Sequence, residues 1–400
     1  DGDFAGDLVA AYRQIFDRFN TSGAEWIQFD EPALVTDLSG DELELFTSIY
    51  MELLAGKGAL KVLLQTYFGD IRDAYDKVTA LDFDGIGLDF VEGKQTKDLV
   101  LKKGFPQDVL LFAGVVNGKN IWCNDYGKTL SLLHELESAV PQDRIVIGTS
   151  CSLLHVPYTL EKETAMTEQY KRYFAFAQEK LQELDDLQEL FADPGAVENP
   201  KYKENAALIQ SKGDYQDSAV GVKIGALTER DFTRLPVFAE REKIQKQVLG
   251  LPVLPTTTIG SFPQTAEVKA LRTKLRKKEI TLEEYKARVK QKIADCIALQ
   301  EEIGLDVLVH GEFERNDMVE YFGENLNGFL FTQNAWVQSY GTRCVKPPII
   351  WGDVSRSKPI TVAYSVFAQR QTVKPVKGML TGPVTILNWS FPREDIPNKT

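Results

Sequence analysis

Glu25-Trp26-Ile27-Gln28-Phe29-Asp30-Glu31-Pro32 is a short apolar run that ends in two carboxylates and a proline. A helical pattern over roughly 5–20 precedes it, and a second one over 41–54 leads to Lys61-Val62-Leu63-Leu64-Gln65-Thr66-Tyr67. Short runs rich in Leu, Ile and Val that alternate with amphipathic helices are typical of parallel βα units, whose sheet is buried on both faces. The stretch therefore predicts an α/β fold.

The alternation continues on both sides of a long helical region. Further strands are predicted near 85–91, 109–115 and 144–149, and again at Val253–Ile259, Asp306–His310 and Lys374–Leu380. Helices are predicted over Glu161–Glu189, Phe238–Leu249, 265–278 and 281–303, with a hairpin-like insertion near 326–350. About five strands precede the helical region and about three follow it. Because eight βα units close a barrel, the pattern alone favours one barrel with a large helical insertion.

Composition argues against several classes of partner. The 400 residues carry a formal net charge of -12, which argues against nucleic acid or an anionic membrane as the main partner. No apolar run approaches the roughly 18 residues that a membrane-spanning helix needs. The four cysteines are scattered, as in proteins of a reducing cytosolic compartment.

Since the chain starts at Asp1 inside a helical pattern and without Met, we expect it to be part of a longer protein.

Thr256-Thr257-Thr258-Ile259-Gly260-Ser261-Phe262-Pro263-Gln264-Thr265 lies where a predicted strand ends. A glycine there lets the backbone approach a ligand, and the hydroxyl and N–H groups of a Gly-Ser turn can hold a carboxylate. The alternative is an ordinary strand-to-helix turn with Thr265 as the helix N-cap.

A second motif is His310-Gly311-Glu312-Phe313-Glu314-Arg315. Glu312 follows a predicted buried strand by two residues, so we expect its carboxylate to face the same strand-end region as Ser261 and to bind an ammonium group. Glu314, Arg315 and Glu320 are interpreted as a local ion-pair network, and His310 as a strand-end histidine satisfied by hydrogen bonds.

Two further segments contain residues able to contact a ligand. Arg343 and Cys344 lie in the predicted insertion, where an isolated Arg is ordinarily a surface residue. Trp389 is predicted to follow the last strand, where its ring could stack on a planar heterocycle or close the loop as a core aromatic.

Together with Trp26–Leu34 and Ser150-Cys151-Ser152-Leu153-Leu154-His155, these segments resemble cobalamin-independent methionine synthase along the whole chain. The resemblance implies parts of two (βα)8 barrels of the TIM type. Residues 1–160 would be the carboxy-terminal part of the first barrel, 161–250 a helical connection, and 251–400 the amino-terminal part of the second, catalytic barrel.

The same resemblance implies methyl transfer from a 5-methyltetrahydrofolate polyglutamate to homocysteine, with zinc and without cobalamin. Ile259, Gly260, Ser261 and Glu312 would bind homocysteine or methionine, and Arg343, Cys344 and Trp389 would contact the folate. The family's zinc ligands and its proton-donating histidine would lie beyond Thr400, so no catalytic or metal-binding residue is assigned here. We therefore expect residues 1–400 alone to be inactive and to associate through open barrel edges.

Three alternatives remain. Cys151 and His155 could be a zinc pair, but zinc needs at least one more soft ligand and the other His and Cys residues are dispersed, which favours a structural role for Cys151. Cys296, on an amphipathic helix, is predicted to be a packing residue. Asp30 or Glu31 with Glu312 or Glu314 could serve a carboxylate-dependent hydrolase, which leaves Thr256–Thr265 and Trp389 unexplained. The chain could also be a catalytically silent ligand-binding or assembly fragment.

Overall fold

The structure, a computed structural model, describes residues 4–213 and 217–395. Contacts divide the chain into a first unit, Asp1–Gly213 with Thr332–Lys346, and a second unit, Asp214–Phe331 with Pro347–Thr400. Residues 332–346 thus fold with the first unit, although their neighbours in sequence on both sides belong to the second. The domain boundaries given above stay a prediction.

The first unit is built on a parallel sheet in the order β1-β2-β3-β4-β5. Its strands are β1 Trp26–Asp30, β2 Lys61–Gln65, β3 Gly85–Asp89, β4 Leu110–Val116 and β5 Ile145–Thr149. They alternate with α1 Ala5–Ser22, α2 Gly40–Ala55, α3 Tyr75–Thr79, α4 Thr96–Lys103 and α5 Tyr126–Leu136. The α/β class with a parallel sheet is therefore confirmed. Among the described residues the sheet does not return from β5 to β1, so closure into a TIM barrel stays a prediction.

Apolar side chains from neighbouring strands fill the first unit's core. Leu64, Ile86 and Leu111, one from each of β2, β3 and β4, are all fully buried. Burial of such a side chain stabilises the fold by roughly 1.5–3 kcal/mol. The central strand β3 is buried at every residue, as the near-continuous apolar runs of the sequence predict.

Helices dominate the region after β5. They are α6 Glu168–Lys171, α7 Ala177–Ala192 and α8 Pro200–Ser211 in the first unit, and α9 Ser218–Gly225 and α10 Phe238–Leu249 in the second. The predicted continuous helix over Glu161–Glu189 is wrong, because α7 begins only at Ala177. Before it, Phe174 forms an antiparallel bridge with Trp122, and the N–H of Ala175 donates to the carbonyl of Ile121 at 2.6 Å. This long-range pairing replaces helical hydrogen bonds.

A buried lysine on α7 fixes that helix to the loop after β4. Lys180 is fully buried, donates to the carbonyl of Trp122 at 3.2 Å and lies 3.9 Å from a carboxylate oxygen of Glu183. The other Glu183 oxygen accepts from the backbone N–H of Asn124 at 2.7 Å. Since charged groups leave water only when they are paired, this cluster couples α7 to the loop after β4.

The second unit contains shorter strands and longer helices. The remaining helices are α11 Ala266–Arg276, α12 Leu282–Ile303, α13 Met318–Gly323, α14 Val362–Gln369 and α15 Pro383–Asn388. The remaining strands are β6 Leu308–Val309, β7 Asn327–Leu330, β8 Val337–Gln338, β9 Cys344–Val345, β10 Ile349–Ser355 and β11 Val376–Lys377. β6 pairs with β11 in parallel, while β7 with β10 and β8 with β9 are antiparallel. Across the described residues, no helix is long and apolar enough to cross a membrane.

The predicted strand Val253–Ile259 is wrong as a regular strand. Val253 and Leu254 are 95% and 85% exposed, and Pro252 and Pro255 have no N–H to donate. Pairing begins only at Thr257, through isolated parallel bridges to the segment around β6. The other two strands predicted for this unit are present but shorter than expected, as β6 and β11.

Candidate functional site

The segment Thr256–Phe262 runs parallel to the segment that contains β6. The N–H of Val307 donates to the carbonyl of Thr256 at 3.0 Å, and the N–H of Phe262 donates to that of Gly311 at 3.0 Å. Ser261 and Gly311 form a parallel bridge. Since both segments point the same way, the residues that follow them emerge at one edge.

A left-handed turn after β6 directs Glu312 toward that edge. Gly311 has φ +86° and Glu312 has φ +58°, a region that residues other than glycine seldom adopt. Such a conformation costs roughly 1–3 kcal/mol and persists only where the surroundings fix it. Gln264 donates to the Glu312 carbonyl at 3.4 Å, and the N–H of Arg315 donates to the same oxygen at 3.2 Å.

Gly260 and the Glu312 carboxylate are in direct contact. A Cβ added at Gly260 would lie 2.6 Å from Oε1 of Glu312 and 2.7 Å from Cγ of Met379. Only a glycine leaves room for this approach. The structure therefore brings together the Gly-Ser turn and the carboxylate that sequence analysis placed at one site.

The Glu312 carboxylate is buried and has spare hydrogen-bonding capacity. Glu312 is 7% exposed, and no group in the described part of the chain donates a hydrogen bond to its side chain. The nearest cation is Nη1 of Arg315, 3.9 Å from Oε1. A buried carboxylate is stabilised by charged donors, so this one is suited to receive them from a bound ammonium group.

Beside it, Glu314 is held from two sides. His310 Nε2 lies 3.0 Å from Oε1 of Glu314, and Arg315 Nε donates to the same atom at 2.8 Å. The predicted ion pair of Glu314 and Arg315 and the hydrogen-bonded state of His310 are thus confirmed. Glu320 accepts a hydrogen bond from Asn316 at 3.3 Å.

The pKa of Glu314 is lowered from its ordinary value of 4.5. Burial is the largest influence and acts to raise it, but the combined effect of His310 and Arg315 outweighs burial. A carboxyl group whose pKa is depressed by folding stabilises the native state above its unfolded pKa, and that stabilisation is lost as the pH falls through the folded pKa.

We expect the second unit to lose stability below about pH 4.5, and Glu314→Gln to remove the part of that acid dependence due to this carboxyl group. Urea denaturation of the wild-type and Glu314→Gln proteins, at pH values from about 3 to about 7, measures how the free energy of unfolding depends on pH. Equal acid slopes in the two proteins would contradict the assignment.

The three predicted folate contacts lie in different units. Arg343 and Cys344 are exposed on the β8–β9 hairpin of the first unit. Trp389, 52% exposed, caps the carboxyl end of α15 in the second. Trp389 comes after β11 in the chain, and α15, with Pro383 at its first helical position, lies between the two.

The other candidate residues differ in how exposed they are and in what they pack against. Ile259 is 85% exposed and Ser261 is exposed, whereas Gly260 is buried. Cys151 is buried, and Cys296 packs in the core with Gln300 Nε2 3.2 Å from its sulfur, so the packing role predicted for Cys296 is confirmed. Within residues 4–213 and 217–395, no group of three or more His, Cys, Asp and Glu side chains could hold a metal ion.

Sequence reasoning missed Arg272. It lies in a basic stretch of α11 that has the pattern of a solvated helix face, yet its Nη2 donates to the carbonyls of Phe313, at 3.1 Å, and Arg315. It also donates to Gln264, the residue that contacts the Glu312 carbonyl. In the sequence, the only indication that Arg272 supports the site was the position of its partner Gln264 inside the Thr256–Thr265 motif.

Two protein-family descriptions match the chain. The cobalamin-independent synthase N-terminal domain matches residues 2–141, and the cobalamin-independent synthase catalytic domain matches residues 254–400. The chain belongs to the cobalamin-independent methionine synthase family. The catalytic-domain match contains Gly260, Glu312 and Trp389.

Relatives in this family are similar over nearly all of the chain. A 5-methyltetrahydropteroyltriglutamate–homocysteine methyltransferase of Lactococcus lactis subsp. cremoris is 58% identical over 98% of this chain and 51% of its own length. One of Campylobacter jejuni subsp. jejuni is 57% identical over 98% of this chain and 52% of its own. The chain thus spans about half the length of the curated relatives it matches.

Among solved structures, a putative vitamin-B12 independent methionine synthase from Listeria monocytogenes aligns with 46% of this chain and 53% of its own. The TM-score is 0.36 at 15% identity, a likeness too small to support an argument about the fold.

Proposed function

We propose that this chain is the part of a methyltransferase that binds homocysteine for methylation by 5-methyltetrahydropteroyltriglutamate. The observation that carries the proposal is the buried Glu312 carboxylate, which touches Gly260 and receives no hydrogen bond from the described residues. The names of the relatives support the choice of substrates.

In this proposal the amino-acid end of homocysteine is held between two elements. Its ammonium group donates to Glu312, and its carboxylate accepts from backbone N–H groups near Gly260 and from the hydroxyl of Ser261. The exposed side chain of Ile259 lies beside the same turn. Buried charge-assisted hydrogen bonds distinguish an amino acid from a thiol that lacks the amino group, because that analogue leaves the carboxylate without a donor.

Arg343, Cys344 and Trp389 are proposed to contact the methyl-folate. Arg343 can pair with a carboxylate of the glutamate tail, and the half-exposed ring of Trp389 can stack on the planar pterin. A cytosolic location belongs to the same proposal.

Zinc is part of the family resemblance, but the described residues do not fit it, since they form no suitable cluster of ligands. In general, zinc turns a thiol into a bound thiolate, the nucleophilic form. The dependence on zinc and the inactivity and self-association of residues 1–400 alone stay predictions.

The hydrolase alternative is weakened at two of its four carboxylates, Glu31 and Glu314. Glu31 accepts a hydrogen bond from the buried phenol of Tyr50, whose pKa is raised by burial and by this contact. Glu314 is bound by His310 and Arg315. Glu31 and Glu314 thus each have a structural partner.

Gly260→Ala tests the proposal. The added Cβ must displace the Glu312 carboxylate or Met379, so kcat/KM for homocysteine is expected to fall by roughly a hundredfold. The measurement is transfer of a labelled methyl group from 5-methyltetrahydropteroyltriglutamate to homocysteine by the full-length product of the gene.

Gly221→Ala is the matched control, since a Cβ there meets no atom within 4 Å. It should leave transfer unchanged. A wild-type protein that transfers no methyl group would refute the proposed function. A Gly260→Ala enzyme as active as the wild type would refute the proposed site.

A further inference from the structure

The β8–β9 hairpin, which carries Arg343 and Cys344, has an apolar base. Ala335 and Val337 are 1% and 7% exposed. β8 packs against the single helical turn Leu153–His155, which follows β5 in the same unit. The Ser150–His155 motif, which carries no assigned function, therefore serves as a platform for this hairpin.

A buried carboxylate anchors the same hairpin on its polar side. Glu163 is 1% exposed, and its two oxygens accept from the backbone N–H groups of Gln333, at 2.7 Å, and Asn334, at 2.6 Å. The side chain of Asn334 in turn donates to the carbonyl of Lys162 at 2.8 Å. Charge-assisted hydrogen bonds of this kind are about twice as strong as neutral ones.

Strand pairing between β8 and β9 connects the anchored base of the hairpin to Arg343. Val337 pairs with Val345 and Gln338 with Cys344, and the N–H of Ser339 donates to the Arg343 carbonyl at 2.8 Å. The hairpin is short and its tip is exposed, with Tyr340 at 90%. A two-stranded hairpin of this length is marginal by itself, so its position depends on its base.

We propose that Glu163 is a positioning residue for methyl-folate binding. It does not touch the folate but holds the hairpin whose Arg343 and Cys344 do. This inference rests on the proposed function, in which those two residues contact the methyl-folate.

The test is Glu163→Gln in the full-length product of the gene. The carboxamide keeps one acceptor oxygen but turns an NH2 group toward a backbone N–H, so one of the two hydrogen bonds is replaced by a repulsive contact. The KM for 5-methyltetrahydropteroyltriglutamate is expected to rise roughly tenfold to a hundredfold, with kcat and the KM for homocysteine unchanged. Amide hydrogen exchange should speed up across residues 333–345.

Glu161→Gln is the control, an exposed carboxylate on the single helical turn that precedes Glu163, and it should leave all of these quantities unchanged. Asn334→Ala removes only the bond to Lys162 and should raise the same KM to a smaller extent, which keeps the proposal testable if Glu163→Gln fails to fold.

Arg343→Ala separates the inference from the function on which it rests. If Arg343→Ala raises the KM for methyl-folate but neither anchor variant does, the positioning role of Glu163 is wrong and the proposed function stands. If Arg343→Ala leaves it unchanged, the proposed contact is wrong and the inference falls with it. A rise in the homocysteine KM equal to that for methyl-folate would also overturn it, because a general structural defect affects both.

Discussion

Glu312→Gln is expected to weaken homocysteine binding by roughly 30- to 1,000-fold, about 2 to 4 kcal/mol. The buried carboxylate accepts no hydrogen bond from the described residues and lies against Gly260, so the substrate ammonium would be its main charged partner. A glutamine of nearly the same shape keeps the packing and removes the charge. The loss should therefore appear in kcat/KM for homocysteine, with folding unaffected.

A substrate analogue gives the sharper measurement. The wild-type enzyme should prefer homocysteine strongly over 4-mercaptobutyrate, which lacks the amino group, and Glu312→Gln should remove most of that preference. Glu302→Gln, an exposed carboxylate on α12, serves as control and should retain it. A Glu312→Gln enzyme that still discriminates as the wild type does would show that Glu312 does not bind the ammonium group.

Lys180→Met is expected to lower the free energy of unfolding of the first unit by about 3 to 5 kcal/mol. The ammonium group is fully buried, donates to the carbonyl of Trp122 and lies 3.9 Å from the Glu183 carboxylate, itself 6% exposed. Its removal leaves a buried negative charge without that ammonium. Urea denaturation followed by circular dichroism measures the loss, and hydrogen exchange locates it in α7.

Combining Lys180→Met with Glu183→Gln should recover part of the loss, because the amide oxygen can still accept from Asn124 while the buried charge is removed. Lys102→Met removes an ion pair with Asp98 whose lysine is 74% exposed, and should cost less than about 1 kcal/mol. A similar cost for Lys180→Met would show that the buried pair does not stabilise the fold.

Local signals were sufficient to predict much of the fold. The Thr281 N-cap with Glu284 three residues later marks the start of α12, and Thr265 accepts the N–H of Val268 at the start of α11. The five apolar runs of the first unit became β1 to β5. A local pattern gave a wrong prediction where the segment lacked a strand partner, as at Val253–Ile259, or where long-range pairing replaced the helix, as before Ala177.

The sequence by itself predicted most strands and helices of the first unit, and its resemblance to a known family predicted the candidate amino-acid site. The strands and helices depend on side-chain periodicity and capping within a few residues. Only the tertiary structure decided that Gly260 touches Glu312, that Lys180 lies under the Trp122 carbonyl, and that Glu163 holds a hairpin 170 residues further along the chain. Each of these contacts joins distant segments, and their distance in space is set by the packing of whole elements, which no local pattern contains.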